Sequence, residues 1–116
     1  MIKFVGMLRR KPGISAEEFH HYWRNVHGPF VMGINEFARH VRKYVQCHAI
    51  TDQAVVAGAG PTSPFDGIAE LWFDSPDEVR KAFSEPRYLS EIRADELKFL
   101  DLPNCITLMV EEAPMM

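Results

Sequence analysis

The chain has 116 residues, of which 47% are hydrophobic and 25% are charged, and its formal net charge is -3. We expect residues 1–116 to form one domain, since this length suits a single core. Basic and acidic residues are interleaved, and no apolar run approaches the ~20 residues of a membrane span. This composition argues against both nucleic acid and a membrane as partners.

The N-terminus reads as a strand rather than a signal peptide. The chain has only two cysteines, Cys47 and Cys105. Two are too few for a disulfide scaffold and too sparse for a zinc site. We therefore expect a cytoplasmic, reduced protein without a metal.

The first strand is predicted over residues 2–9, and the turn Lys11–Gly13 follows it. A helix then begins at Ser15, because Ser15 and Glu18 have the spacing of a capping box. Gly28–Pro29 is predicted to end this helix after Val26. Its apolar residues recur at helical spacing and form one stripe: Phe19, Tyr22, Trp23, Val26 and Phe30.

The middle of the chain is predicted to continue as a helix to about Ala38 and then as a strand over Val41–Thr51. The next segment, Asp52–Pro64, is rich in Gly and Pro, and we expect either a lid or binding loop or a small hairpin arm. A third strand is predicted over residues 66–74.

The C-terminal third repeats the pattern of the first. Ser75, Pro76 and Glu78 predict the start of a second long helix. Pro86 interrupts this helix, and a further helical segment is predicted to about Leu97. The last strand is predicted over residues 105–112, before a short tail.

The element order βαββαβ predicts an α+β, ferredoxin-like fold, with helices on one face of an antiparallel sheet. The second and fourth strands then lie on opposite edges, which keeps Cys47 and Cys105 too far apart to form a disulfide. Both faces of the central strands are largely apolar, and the helices of one chain cover only one face. We therefore predict an isologous homodimer that pairs the two sheets.

His27 is the strongest candidate for a catalytic residue. It falls on the last turn of the first predicted helix, beside aromatic residues and at the border between core and solvent, where an imidazole can serve as general acid or base. The alternative is that it only caps the helix C-terminus. His20 lies on the same edge, so it either assists His27 or is interfacial. We expect the remaining histidines at the surface or at strand ends: His21, His40 and His48.

Further candidates are aromatic or acidic. Tyr22, Trp23, Tyr44 and Trp72 either line a pocket for a small molecule or belong to the core. Glu70 either pairs with Lys3 or Arg9 or turns into a pocket with a raised pKa. We find neither a phosphate loop nor a nucleotide fingerprint nor a nucleophile elbow, so a nucleotide or flavin cofactor is not expected. His20 and His27 lack the spacing of a metal site.

Three segments resemble the EthD-domain family of the dimeric α+β barrel superfamily: KPGISAEEFHHYWRNVHGP, DGIAELWFDS and DELKFLD. The resemblance covers about residues 2–111, and its most specific part is the Tyr22–Trp23 pair with His27, Gly28 and Pro29. It implies a barrel made from two sheets, with a small cavity between the sheet and the helices of each subunit. The superfamily includes cofactor-free monooxygenases, polyketide cyclases, muconolactone isomerases and haem-binding enzymes.

Our leading hypothesis is a cofactor-free enzyme that acts on an aromatic, polyketide-like or lactone substrate. His27 would transfer a proton, and Tyr22, Trp23, Tyr44, Glu70 and Trp72 would bind the substrate. The reaction would be isomerisation, cyclisation or dehydration, or oxygen insertion into an enolised substrate. The alternatives are a non-catalytic ligand-binding or stress-associated protein and a haem-binding protein.

Overall fold

The computed structural model of the chain describes residues 1–50 and 63–116, so most of the predicted loop Asp52–Pro64 lies outside the described residues. In the described ranges, no helix is long and apolar enough to cross a membrane. The strands are β1 (Ile2–Leu8), β2 (Lys43–His48), β3 (Gly67–Phe73) and β4 (Ile106–Val110). The α-helices are α1 (Ala16–Tyr22), α2 (Gly28–Met32), α3 (Asn35–Ala38), α4 (Pro76–Ser84) and α5 (Arg93–Glu96).

The four strands form one antiparallel sheet in the order β2-β3-β1-β4. This topology confirms the predicted α+β, ferredoxin-like fold. It also confirms that β2 and β4 are the edge strands, and Cys47 and Cys105 are both free thiols. The predicted helix starts are confirmed as well, because the Ser15 and Ser75 hydroxyls accept hydrogen bonds from the backbone N–H groups of Glu18 and Glu78.

The helices pack on one face of the sheet and form two apolar clusters. One cluster lies at the α1 end of the sheet and contains Leu8, Phe19, Trp23, Phe99 and Leu100. The other joins α2, α3 and α4 to β3, with Val31, Ile34, Phe37, Leu71, Phe73, Val79, Ala82, Tyr88 and Ile92. Residues of both clusters line a common cavity.

The first helical segment contains a π-helical turn, Trp23–His27, between α1 and α2. The backbone N–H of Gly28 donates to the carbonyl oxygen of Trp23, five residues earlier. This wider turn adds a residue to the helical repeat and so rotates the next turn of the helix about its axis. Consequently His27 is 6% exposed and Val26 is 42% exposed. The prediction of Val26 in the buried stripe is therefore wrong, and His27 lies deeper than the predicted border between core and solvent.

The helical course also continues through Gly28–Pro29, so the prediction that this pair ends the helix is wrong. Gly28 has helical angles, φ -57 and ψ -53. A residue before proline normally avoids this conformation because its Cβ clashes with the proline ring, and glycine has no Cβ. Pro29 stands in the first turn of α2, where its fixed φ angle suits a helix.

His40, which was predicted at the surface or at a strand end, is buried. Its Nδ1 lies 2.8 Å from Glu78 Oε2 and its Nε2 lies 2.8 Å from Glu85 Oε2. The ring thus connects the end of α3 to both ends of α4. The two glutamates lie 38 and 45 residues away in the sequence, so local periodicity does not reveal this contact.

The opposite face of the sheet carries Glu70 and Trp72, because side chains alternate along β3. Glu70 Oε2 accepts a hydrogen bond from Lys3 Nζ at 2.6 Å, and the same ammonium lies 5.0 Å from the centre of the Trp72 ring. Glu70 therefore forms the ion pair with Lys3 that was one of the two predicted alternatives. The Lys3 hydrogen bond lowers the pKa of Glu70, which favours the predicted pair over the alternative of a pocket carboxyl with a raised pKa.

Candidate active site

A cavity of about 360 Å³ lies between the helices and the sheet. This volume is within the range of pockets that bind small molecules. Its walls are mainly apolar and aromatic, with Phe4, Leu71, Phe83, Ile92 and Phe99 among the residues that line it. Three of the predicted site residues line the same cavity: His27, Trp23 and Tyr44.

His27 forms a hydrogen-bonded pair with Asp95 at the cavity wall. The distance from His27 Nδ1 to Asp95 Oδ2 is 2.7 Å. Both residues are buried, with exposed fractions of 6% and 7%. The His27 ring also packs against Phe99, with 4.8 Å between ring centres. The position of the imidazole is therefore fixed by both a carboxylate and an aromatic ring.

Hydrogen bonds from Tyr22 and His27, together with the nearby Lys98 ammonium, hold Asp95 in its ionised form. Tyr22 donates its hydroxyl hydrogen to Asp95 Oδ1 at 2.5 Å, and Lys98 Nζ lies 3.6 Å from the same oxygen. Burial alone would raise the pKa of Asp95, but the hydrogen bonds from Tyr22 and His27 outweigh it, so this pKa is lowered. Conversely, burial and the bond to Asp95 raise the pKa of Tyr22 to about 12.

This arrangement determines which nitrogen of His27 can react. A carboxylate accepts hydrogen bonds only, so the neutral imidazole carries its hydrogen on Nδ1 and has its lone pair on Nε2. Among the described residues, Nε2 has no hydrogen-bond partner. The pair thus provides a base beside an apolar cavity, with Asp95 able to stabilise the imidazolium that forms.

Sequence reasoning missed Asp95, although a signal was present. Tyr88, Ile92, Asp95 and Phe99 recur at helical spacing and are all buried. A carboxylate on such an apolar stripe needs a buried partner. The partner, His27, lies 68 residues earlier, so only the folded structure joins the two.

The other predicted site residues divide into three groups. Trp23 and Tyr44 line the cavity with His27. Tyr22 lies behind His27, where it contacts Asp95 and the Phe99 ring instead of the cavity. Glu70 and Trp72 are on the far face of the sheet, so the structure does not bring them together with His27.

His20 does not reach His27 either. Its Nδ1 lies 2.7 Å from Nδ1 of His48, at the end of β2. Within the described parts of the chain, no group of three or more His, Cys, Asp or Glu side chains is arranged to hold a metal ion.

Comparison with known proteins identifies the family. The EthD domain model matches residues 11–103. The chain belongs to the EthD family. Dehydratase ustZ of Ustilaginoidea virens is 30% identical to it over 97 residues, which are 79% of this chain and 69% of that protein. The conidial pigment biosynthesis dehydratase EthD of Metarhizium robertsii is 29% identical over 98 residues, 79% of this chain and 68% of that one.

Solved structures share the fold at low sequence identity. An EthD family protein from Bacillus halodurans superposes with a TM-score of 0.69 at 17% identity, over 97% of this chain and 99% of the other. A dimeric protein with a ferredoxin-like fold from Bacteroides fragilis has a TM-score of 0.66 at 12% identity, over 96% and 95% of the two chains. These likenesses support the EthD fold alone and carry no information about the reaction.

Proposed function

We propose that this EthD protein is a dehydratase that eliminates water from an apolar, ring-containing small molecule without a cofactor. The observation that carries the proposal is the buried His27–Asp95 pair at the wall of an apolar cavity. Two relatives named as dehydratases support elimination of water over isomerisation, cyclisation or oxygen insertion.

The pair can carry out both halves of such an elimination. Nε2 of His27 takes a proton from the carbon next to a carbonyl group, and the electron pair of that C–H bond forms an enolate. The enolate then expels the hydroxyl group from the β-carbon as a C=C bond forms. The His27 imidazolium gives its proton to the departing oxygen, which leaves as water, and the base is regenerated. Asp95 keeps the ring in the required tautomer and stabilises its charged state.

The test uses a substrate whose dehydration is easily followed. Loss of water from 3-hydroxy-1-tetralone gives 1-naphthol, which fluoresces. We expect His27→Gln to lower kcat/KM by about 10²–10⁴-fold, the usual contribution of a general base. The matched control is His21→Gln, because His21 is an exposed histidine on α1. Activity of the His27 variant within twofold of wild type would reject His27 as the base.

We also propose that two copies pair through the outer face of the sheet. Ile106 and Leu108 on β4 are 52% and 50% exposed, and Leu108 is paired with Val5 of β1. Several structures that share the fold are described as dimeric.

We expect light scattering to give twice the chain mass of 13.3 kDa. Leu108→Lys should shift the mass towards the monomer, whereas Leu97→Lys, at a 52% exposed position outside the sheet, should not. A wild-type monomer at micromolar concentration would refute this pairing.

A further inference from the structure

A chain of hydrogen bonds runs from the cavity wall to the far end of β2. Gln46 Nε2 lies 3.0 Å from the Tyr44 hydroxyl oxygen, and Gln46 Oε1 lies 2.9 Å from His48 Nε2. The chain continues from His48 Nδ1 to His20 Nδ1 at 2.7 Å. Tyr44 lines the cavity, whereas His20 and His48 border a separate pocket. The proton transfer proposed for His27 uses none of these four side chains.

The direction of each hydrogen bond follows from one fixed acceptor. Gln46 Nε2 lies 2.8 Å from the carbonyl oxygen of Trp23, which can only accept, so the amide nitrogen must face it. The two amide hydrogens are then donated to Trp23 and to Tyr44. The amide oxygen accepts from His48 Nε2, which leaves Nδ1 of His48 to accept from His20. Burial lowers the pKa of His20, and it lowers that of His48 to about 4, so both rings are neutral at neutral pH.

The close packing of Gly28 holds the amide in this position. A Cβ placed on Gly28 would lie 2.7 Å from Gln46 Nε2 and 3.3 Å from the Trp23 carbonyl oxygen. Glycine at this position therefore lets the amide reach the π-helical turn. The residue after His27 in the chain thus contacts the group that orients Tyr44.

The hydroxyl of Tyr44 consequently has its hydrogen free for a ligand. Its oxygen accepts from Gln46, and among the described residues it has no acceptor of its own. Burial raises the pKa of Tyr44, although hydrogen bonds from the Gln46 and Trp23 side chains oppose this, so the hydroxyl remains protonated. Tyr88, another tyrosine of the cavity, differs because its hydroxyl donates to Glu96 Oε2 at 3.0 Å.

We propose that Tyr44 donates a hydrogen bond to the carbonyl oxygen of the substrate, and that Gln46 is a positioning residue whose amide, fixed by the His20–His48 pair, directs this hydrogen into the cavity. The inference rests on the proposed function and names the group that binds the carbonyl oxygen of its substrate. When His27 removes the α-proton, negative charge develops on the carbonyl oxygen. A donor already aimed at that oxygen stabilises the enolate more than the ketone.

The experiment measures binding, so that it does not depend on turnover. We would compare the affinity of the protein for 1-naphthol, an enol mimic, with that for naphthalene, which lacks the oxygen. The ratio of the two affinities isolates the hydrogen bond, because both probes fill the same apolar walls. Tyr44→Phe removes the donor. Gln46→Glu places a carboxylate beside Tyr44, which then takes the hydroxyl hydrogen away from the cavity.

We expect each of these variants to lose about tenfold in the naphthol-to-naphthalene ratio, with the naphthalene affinity unchanged. If Gln46 had only a structural role, its replacement would instead lower the affinity for both probes equally. The matched control is Tyr88→Phe, which removes a cavity hydroxyl whose hydrogen is already donated to Glu96, and its ratio should equal that of wild type. Should Gln46→Glu fail to fold, His48→Leu tests the same positioning by removing the donor to the amide oxygen.

The outcomes separate this inference from the proposed function. An unchanged ratio in Tyr44→Phe, or an equal loss in Tyr88→Phe, overturns the inference even if wild type dehydrates 3-hydroxy-1-tetralone. A ratio lost in Tyr44→Phe and Gln46→Glu but kept in His27→Gln supports the inference, even if wild type shows no dehydration.

Discussion

Replacement of Asp95 by Asn gives the most informative test of the buried pair. The change keeps the size of the side chain and removes its charge. The Asn amide nitrogen beside His27 Nδ1 donates a hydrogen bond, whereas the carboxylate oxygen of Asp95 accepts one. The imidazole then carries its hydrogen on Nε2, the nitrogen that must act as base. The variant should therefore retain its cavity and lose most of its proton-transfer activity.

The structure also gives the magnitude of the loss in stability. Asp95 accepts two hydrogen bonds, at 2.5 Å from Tyr22 and 2.7 Å from His27, and it is 7% exposed. Hydrogen bonds to a charged group contribute about 1.5–3 kcal/mol, compared with about 1 kcal/mol for neutral pairs. Loss of the charge should thus lower the free energy of unfolding by about 1–4 kcal/mol.

Two assays check the Asp95→Asn variant together. Urea unfolding at neutral pH measures the loss in free energy of unfolding, and 1-naphthol release from 3-hydroxy-1-tetralone measures activity, which should fall by about 10²–10⁴-fold. Asp77→Asn is the matched control, since the Asp77 side chain is 80% exposed and its replacement should alter stability by no more than about 0.5 kcal/mol. An Asp95→Asn variant with wild-type stability and wild-type kcat/KM would refute the role of the buried carboxylate.

Two further predictions concern the scaffold around the site. Gly28→Ala should lower the free energy of unfolding by about 1–3 kcal/mol, because its new Cβ clashes with neighbouring atoms. Gly33→Ala should be neutral or stabilising, because its Cβ meets only ordinary contacts of 3.4 Å. Equal effects of the two variants in thermal melts would reject the close packing at Gly28. Hydrogen bonds from His40 and Arg39 lower the pKa of Glu85 below its ordinary value of 4.5, so its stabilisation is present above that value and is lost as the pH falls through the folded-state pKa. The stability gap between wild type and Glu85→Gln should close in acid, and a gap that stays constant or widens contradicts this.

Sequence patterns predicted the elements where the signals are local. Serine caps, turn residues and helical spacing identified α1, α4 and all four strands. The pattern failed at Val26 because it assumed a regular repeat of 3.6 residues, and the π-helical turn adds one residue. It failed again at Gly28–Pro29, because these two residues usually end a helix but here lie within a continuous helical segment.

The candidate site was only half predictable for a related reason. His27, Trp23 and Tyr44 could be named from their positions on a helix and a strand. The partner Asp95 comes from a distant helix, and no spacing in the chain connects it to His27. Glu70 was left with two alternatives, an ion pair or a pocket, because an acidic residue on an apolar strand is compatible with either face of the sheet until packing decides which face the helices cover.

His27 is proposed to be the base that removes a proton from a bound ketone. The most direct measurement is exchange of the C2 protons of 1-tetralone for deuterium in D₂O, monitored by NMR. This ketone has no hydroxyl group to lose, so the measurement isolates proton transfer from water release. We expect exchange to be catalysed by wild type and by His21→Gln and to be abolished in His27→Gln. Equal exchange in wild type and His27→Gln, or bound 1-tetralone that wild type does not exchange, would contradict the claim.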